Sequence, residues 1–251
     1  MADLLRLGKA LPRYDSRTLK LTKYLDLTVL PTPPVATNRL AAVGLTFPMF
    51  ANNFYGDCTA AGMAHMSMLW SALASSPLSY SDADVLGAYA AITGFDPVTG
   101  ANDNGAVELD VLKWWQSVGF AGHKIAAFAA VNLANRDLFR AAIYLFDGLY
   151  IGVALPASAQ GQEEWTYKPE TGSQANPGSW GEHCVNIADY DESGVSLISW
   201  GKVIHASWDF LDRYCDEAYA VLAPEAFNTA AGNTAEGFDL ATLTIDLARV
   251  A

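Results

Sequence analysis

The chain has 251 residues, of which 51% are hydrophobic and 17% charged, with a formal net charge of -12. That length and apolar content suffice to bury a substantial core and exclude a disordered polymer. The negative balance argues against a nucleic-acid partner, because phosphate-backbone binders present a basic face.

Residues 1–13 mix charges with short apolar pieces and lack the apolar run of a signal peptide. Residues 138–156 form the longest apolar stretch, but Arg140 and Asp147 interrupt it, so it reads as core rather than as a membrane span. Three cysteines, Cys58, Cys184 and Cys215, are too few for a disulfide scaffold, and their odd number leaves at least one free. A cytoplasmic, reducing compartment and no membrane partner are expected.

Residues 1–45 read as an N-terminal arm laid against the main domain, with an extended break at Pro31-Thr32-Pro33-Pro34. The main domain spans 46–222. Its first half is helical: a buried Ala/Met/Leu helix over 58–74, a second helix over 82–92 capped from Ser81-Asp82-Ala83-Asp84, and a third over 107–117. Between the last two, Asp96, Asn102, Asp103 and Asn104 belong to a turn-rich stretch without EF-hand spacing, read as a solvated turn. The pattern then changes. A short helix led by Asn135 reaches Phe146, and residues 148–155 read as a buried strand. A polar loop over 161–178 precedes β-type runs at 183–190, 194–200 and 218–222. Helices first and strands later imply an α+β fold with an antiparallel sheet. The Ala/Thr-rich residues 223–251 read as a C-terminal extension, either docked or available as a contact for a second copy or an assembly partner.

Cys58 carries the chemistry. It opens a helix after the turn Asn52-Asn53-Phe54-Tyr55-Gly56-Asp57, where the positive end of the helix dipole favours a thiolate. Side-chain amides upstream are candidate oxyanion donors. A thiol nucleophile needs a base, and the chain has four histidines. His65 stands seven residues along the same helix, ~10 Å away by helical rise. His123 sits in an Ala/Gly-rich connection, and His205 reads as packed or superficial. His183 opens a strand after a polar loop, which suits presentation at a cleft edge.

Cys58 and His183 lie 125 residues apart. With that spacing, the chain resembles the papain-like cysteine peptidase superfamily over residues 46–222. In that family a glutamine stands six residues before the nucleophile and a glycine two before it; here Asn52 and Gly56 match. The family's base begins a strand, followed after a turn by an Asn-Ser-Trp-Gly run, matched by Ile198-Ser199-Trp200-Gly201. The resemblance implies a papain-like fold, with an N-terminal helical half carrying the nucleophile and a C-terminal antiparallel β half carrying the base. It further implies Cys58 as nucleophile, His183 as base and Asn52 as oxyanion donor, with Asn53 as an alternative.

Two positions depart from the family. Ile198 stands where the orienting asparagine belongs and cannot accept a hydrogen bond, which leaves Ser199, a main-chain carbonyl or water for that task. Asn52 is one methylene shorter than the glutamine it replaces. Trp200 is placed to shield the base, and Trp165, Trp180 and Glu182 lie on or near the loop before it, as candidate walls of a substrate cleft. Cys184 is expected on the opposite face of the strand from His183 and Cys215 is expected to be structural, while Trp114 and Trp115 read as packing anchors. No metal or other cofactor is expected, since zinc-type spacing and a phosphate loop are both missing from the sequence.

The expected activity is therefore a thiol hydrolase, a cysteine peptidase or amidase, working on a peptide or amide substrate through an acyl-enzyme. Acyl transfer or peptide ligation by the same dyad is an alternative. A non-catalytic papain-fold structural or binding protein is another, motivated by Ile198 and the Ala/Thr-rich tail. The shortness of the arm suggests an enzyme made in its active form, or one regulated otherwise than by a long propeptide.

Overall fold

The computed structural model describes residues 5–26, 28–223 and 240–250. Helix α1 (Arg39–Val43) is a single short turn-rich segment that ends at a left-handed Gly44. Helix α2 (Cys58–Leu73) starts at the cysteine itself and is buried on nearly every side, which its small Ala, Gly and Ser residues permit. Helix α3 (Asp82–Thr93) begins in a reciprocal capping box between Ser81 and Asp84 and stops at Gly94, whose positive φ of 77° closes it. Helix α4 (Glu108–Ser117) follows the turn-rich stretch.

The second half is built on strands β1 (Ala127–Ala130), β2 (Leu149–Leu155), β3 (Gly181–Tyr190), β4 (Gly194–Ser199), β5 (Lys202–Ser207) and β6 (Cys215–Leu222). They form one antiparallel sheet in the order β1-β6-β2-β3-β4-β5. Helix α5 (Arg136–Leu145) is capped by Asn135, whose Oδ1 accepts the Leu138 N–H at 2.9 Å, and α6 (Trp208–Tyr214) links β5 to β6. The α+β architecture expected from the sequence is present. Strands β1 and β5 and helix α6 were not foreseen. Ala127-Phe128-Ala129-Ala130 lacks polar alternation, β5 is an edge strand with Lys202 and Val203 exposed, and α6 is seven residues long.

Alternation along β2 shows how the sheet organises two cores. Leu149, Ile151, Val153 and Leu155 face the side covered by α5 and α6. Tyr150 faces the side covered by α2, α3 and α4, where its hydroxyl donates to the Thr59 carbonyl at 2.8 Å. Each fully buried Leu, Ile or Val on these faces contributes about 1.5–3 kcal/mol. The helical layer is thereby pinned to the sheet at α2, so Cys58 sits where both halves meet.

The N-terminal segment runs over much of the surface. Lys20 bridges to Ala130 beside β1, and Leu21 and Tyr24 are buried in the α5–α6 core. Further on, the Thr37 N–H donates to the Tyr190 carbonyl at 2.9 Å. The Asp189 carboxylate accepts the Arg39 and Leu40 N–H groups at 2.8 and 2.9 Å, fixing the start of α1 to β3. Helix α7 (Leu240–Val250) docks on the same segment: Leu243 enters the core, and Asp246 accepts from the Tyr24 hydroxyl at 2.9 Å and from Lys23 at 2.6 Å. Of the expected C-terminal extension, residues 224–239 and 251 lie outside the described residues. No helix among the described residues is long and apolar enough to cross a membrane.

Candidate active site

The turn leading into α2 is conformationally costly. Phe50 and Ala51 both adopt left-handed backbone, with φ of 55° and 64°, a region non-glycine residues avoid. Asp103 Oδ1 then clamps the turn, accepting the Gly56 N–H at 2.9 Å and the Tyr89 hydroxyl at 2.9 Å. The stretch read from sequence as a solvated turn is therefore a wall of the nucleophile loop. Asp103 is chemically engaged although its residue lies at the surface.

Cys58 is the first residue of α2 and is almost wholly buried. The Cys184 N–H points at its Sγ at 3.4 Å, and the Gly8 main-chain amide lies against it. Burial nevertheless pushes the thiol up to about 12, and the neighbouring Asp57 carboxyl adds to the rise. The helix dipole, worth about 1 kcal/mol, does not offset the loss of water at this site. The sulfur is a neutral thiol here, not the thiolate expected from its position at the helix start.

His183 is the third residue of β3 and is also buried. Its Nε2 lies 2.7 Å from Ser199 Oγ, while Nδ1 has no hydrogen-bond partner. Burial, reinforced by the positive charge of Lys9, brings the imidazole down to about 3, so it is neutral. The ring stacks on Trp200 with centroids 4.0 Å apart and planes 15° from parallel. The sequence left the partner of this nitrogen open between Ser199, a carbonyl and water, and Ser199 takes the position. Ile198 turns into the helix-side core. Ser199 pairs with Lys202 across a two-residue turn made by Trp200 and Gly201, both left-handed at φ 46° and 68°. That turn lays the indole over the imidazole.

The remaining candidates are placed as follows. Asn52 is buried, with Nδ2 donating to the Tyr55 carbonyl at 3.0 Å and its amide beside the buried Asp57 carboxyl. Asn53 is half-buried in the same turn. Trp180 is half-buried with its ring 5.5 Å from that of Trp200, and Glu182 precedes the histidine. Trp165 does not line a cleft: it is buried against Phe210 and Trp200, because its N–H and C=O pair with β5 and carry it into the core. His65 Nε2 donates to the Pro48 carbonyl at 2.8 Å, between the rings of Phe47 and Phe50, and burial holds the imidazole near 4. His205 contacts Ser193 Oγ at 3.1 Å. Cys184 faces the helix-side core, and Cys58, Cys184 and Cys215 are all free.

The sequence did not foresee what fills the groove. Residues 6–10 thread it: Arg6 N–H donates to Asn52 O at 3.1 Å, Lys9 N–H to Glu182 O at 3.3 Å, and Trp200 Nε1 to Arg6 O at 3.0 Å. On the other wall Ala106 N–H donates to Gly8 O at 2.8 Å, and Ala10 N–H to Ala106 O at 2.8 Å. Glycines make the fit. A Cβ on Gly8 would lie 1.8 Å from Gly56 O, and one on Gly105 would lie 2.1 Å from Gly8 O. The segment read as an arm laid against the main domain thus covers the thiol directly.

Lys9 carries its side chain, with no exposed surface, into a nest of acids. Its Nζ lies 2.8 Å from Asp216, 3.1 Å from Glu182 and 3.5 Å from Glu217. Burial alone would lower its pKa, but Glu108 first, then Asp216 and Glu217, raise it above its ordinary value. Little in the linear sequence announces this cluster, since Glu108 opens a helix and Asp216-Glu217 is an ordinary dipeptide in a strand.

No protein-family model matches the chain, and no curated protein matches it. Solved structures do. Xylellain, a cysteine protease from Xylella fastidiosa, aligns with a TM-score of 0.66 at 12% identity, covering 88% of this chain and 97% of that one. Procathepsin B S9 from Trypanosoma congolense aligns with a TM-score of 0.59 at 7% identity, covering 87% and 86%. A Carica candamarcensis cysteine protease, solved in complex with E-64, aligns with a TM-score of 0.53 at 15% identity, covering 76% and 99%. At such identities the likeness speaks for the backbone arrangement, and the chain has the papain-like fold.

Proposed function

We propose that the chain is a papain-like thiol hydrolase acting on an amide or peptide bond, held closed by its own N-terminal segment. The observation that carries this reading is the pairing at the junction of the two halves. A free thiol at the first residue of α2 is held by the Cys184 N–H, next along β3 to an imidazole with one nitrogen on Ser199 and the other unpaired.

When residues 6–10 leave, water reaches the thiol, its pKa falls and the dipole of α2 favours the thiolate. Cys58 Sγ attacks the substrate carbonyl carbon, and its proton passes to His183 Nδ1. The oxyanion is held by the Cys58 N–H, an orphan donor of the helix start, together with the Asn52 or Asn53 amide. Collapse breaks the C–N bond, and His183 returns the proton to the departing amine. Water, deprotonated by His183, then hydrolyses the thioester. An amine in place of water would give acyl transfer through the same intermediate.

The test uses the full chain with Gly8→Ala, whose added methyl collides with Gly56 O and unseats the arm. Its expected behaviour is hydrolysis of fluorogenic peptides and, after acid quench, an acyl adduct on Cys58 by mass spectrometry. Both are lost in the additional variants Cys58→Ala and His183→Ala. If the folded variant gives neither turnover nor adduct, the non-catalytic structural or binding reading stands instead.

A further inference from the structure

We propose that the acidic pocket formed by Glu108, Glu182, Asp216 and Glu217 is the specificity pocket of this site and takes the side chain of a lysine in a peptide. Lys9 fills it as a tethered competitor. This rests on the hydrolase reading only in calling that peptide a substrate.

The pocket is built for a long, thin cation. Between Gly152 and Val153 the pairing of β2 with β6 slips by one residue, so that Gly152 faces Glu217 and Val153 faces Cys215. Asp216 is the extra residue of this bulge. Consecutive strand residues normally point to opposite faces, yet the bulge lets Asp216 and Glu217 converge on one ammonium at 2.8 and 3.5 Å. Gly152 supplies the space for the aliphatic stem: a Cβ there would lie 2.0 Å from Lys9 Cε and 2.6 Å from Asp216 Oδ1. A bulge and a glycine at one spot in the middle of the sheet are both costly to β structure, and both serve the bound amine.

Burial raises the pKa of the Glu108, Glu182 and Glu217 carboxyls, and the Lys9 ammonium draws each of them back down. The Glu108 carboxyl is fully buried, and neither of its oxygens has a hydrogen-bond partner. Its charge adds to those of Asp216 and Glu217 in favouring the Lys9 ammonium. Glu217 Oε2 is satisfied by the Tyr219 hydroxyl at 2.8 Å, which leaves Oε1 for the cation. Carboxylates buried this way stay ionised only beside a cation. The place is also right for selectivity: the main-chain N–H of Lys9 donates to Glu182 O, next to His183, while the preceding residue lies against the thiol. A lysine held here therefore stands beside the bond to be broken. The ammonium makes point contacts with three carboxylates inside a closed space, which suits lysine better than the broader, planar arginine head.

Binding is tested apart from catalysis, in the full chain carrying Gly8→Ala and Cys58→Ala, with the fold verified by circular dichroism. A fluorescent peptide Arg-Leu-Gly-Lys-Ala is titrated against the same peptide with norleucine for lysine. The lysine peptide is expected to bind on the order of thirtyfold tighter, as for a buried charge pair, with the ratio shrinking in Asp216→Asn. Equal binding of the two peptides, or binding of neither, overturns the proposal. A second readout covers misfolding of that variant: Lys9→Met in the otherwise intact chain should speed Cys58 alkylation by weakening the arm's hold, and an unchanged rate counts against the pocket. Lysine-selective binding without any turnover in the Gly8→Ala chain would sink the hydrolase reading and leave the pocket standing.

Discussion

His183 and Ser199 are joined by a buried 2.7 Å hydrogen bond between Nε2 and Oγ, although Ser199 lies one residue beyond the position where the sequence alignment to the papain pattern places the orienting side chain. Alternation along β4 explains the shift: it turns Ile198 into the helix-side core and Ser199 to the opposite face, the one His183 occupies on β3 opposite Cys184. A neutral hydroxyl hydrogen bond contributes about 1 kcal/mol. Ser199→Ala should accordingly reduce kcat of the arm-released enzyme by roughly tenfold at most, with KM little changed. Steady-state kinetics on the Gly8→Ala background check this; a loss of several orders of magnitude would mean that Ser199 does more than orient the ring.

Asp103 is predicted to stabilise the nucleophile turn. Its Oδ1 serves both the Gly56 N–H and the Tyr89 hydroxyl, and Tyr89 in turn accepts the Gly105 N–H at 2.8 Å. Asp103→Ala removes the hub of that network and should cost about 2 kcal/mol in urea unfolding. A change within experimental error would show the clamp to be incidental.

Asp189 links the arm to the sheet. Asp189→Ala strands the Arg39 and Leu40 N–H groups and takes a carboxylate from the buried Arg39 guanidinium. The expected destabilisation is about 3 kcal/mol, larger than for Asp103 because a charge is left underpaired. The same urea titration measures it.

His65 should contribute to acid sensitivity. Burial holds its folded pKa near 4, below the ordinary 6.5, so the unfolded chain binds a proton there that the folded chain refuses. The native state is therefore penalised as pH falls from about 6.5 toward 4. Comparing wild type with His65→Gln over that window, the wild-type protein should lose stability more steeply. Parallel profiles would exclude His65 as a contributor.

Much of the fold was legible because its signals are local. The Ala-rich run after Cys58, the Ser81-Asp84 box, the Asn135 cap and the apolar run of β2 each declare their element within a dozen residues. Order and spacing alone suggested Cys58 and His183 as a pair. Ser199 was only half-legible, because which of two adjacent β4 residues faces the imidazole depends on the register of β4 against β3. The covered groove was not legible at all. It joins residues 6–10 to Asn52, Gly56, Ala106, Glu182 and Asp216 through main-chain contacts and a register slip, none of which leaves a periodic trace.

The central claim is that Cys58 and His183 form a dyad silenced by burial beneath residues 6–10. Iodoacetamide labelling of the full chain across pH, with the modified cysteine mapped, tests it most directly. In the wild-type protein Cys58 should resist alkylation until strongly alkaline pH, consistent with a thiol pushed up to about 12. In Gly8→Ala it should label rapidly well below the ordinary thiol value of about 8.5, and His183→Ala should abolish that shift. A Cys58 that labels along an ordinary thiol curve in both the intact and the Gly8→Ala chains would contradict it.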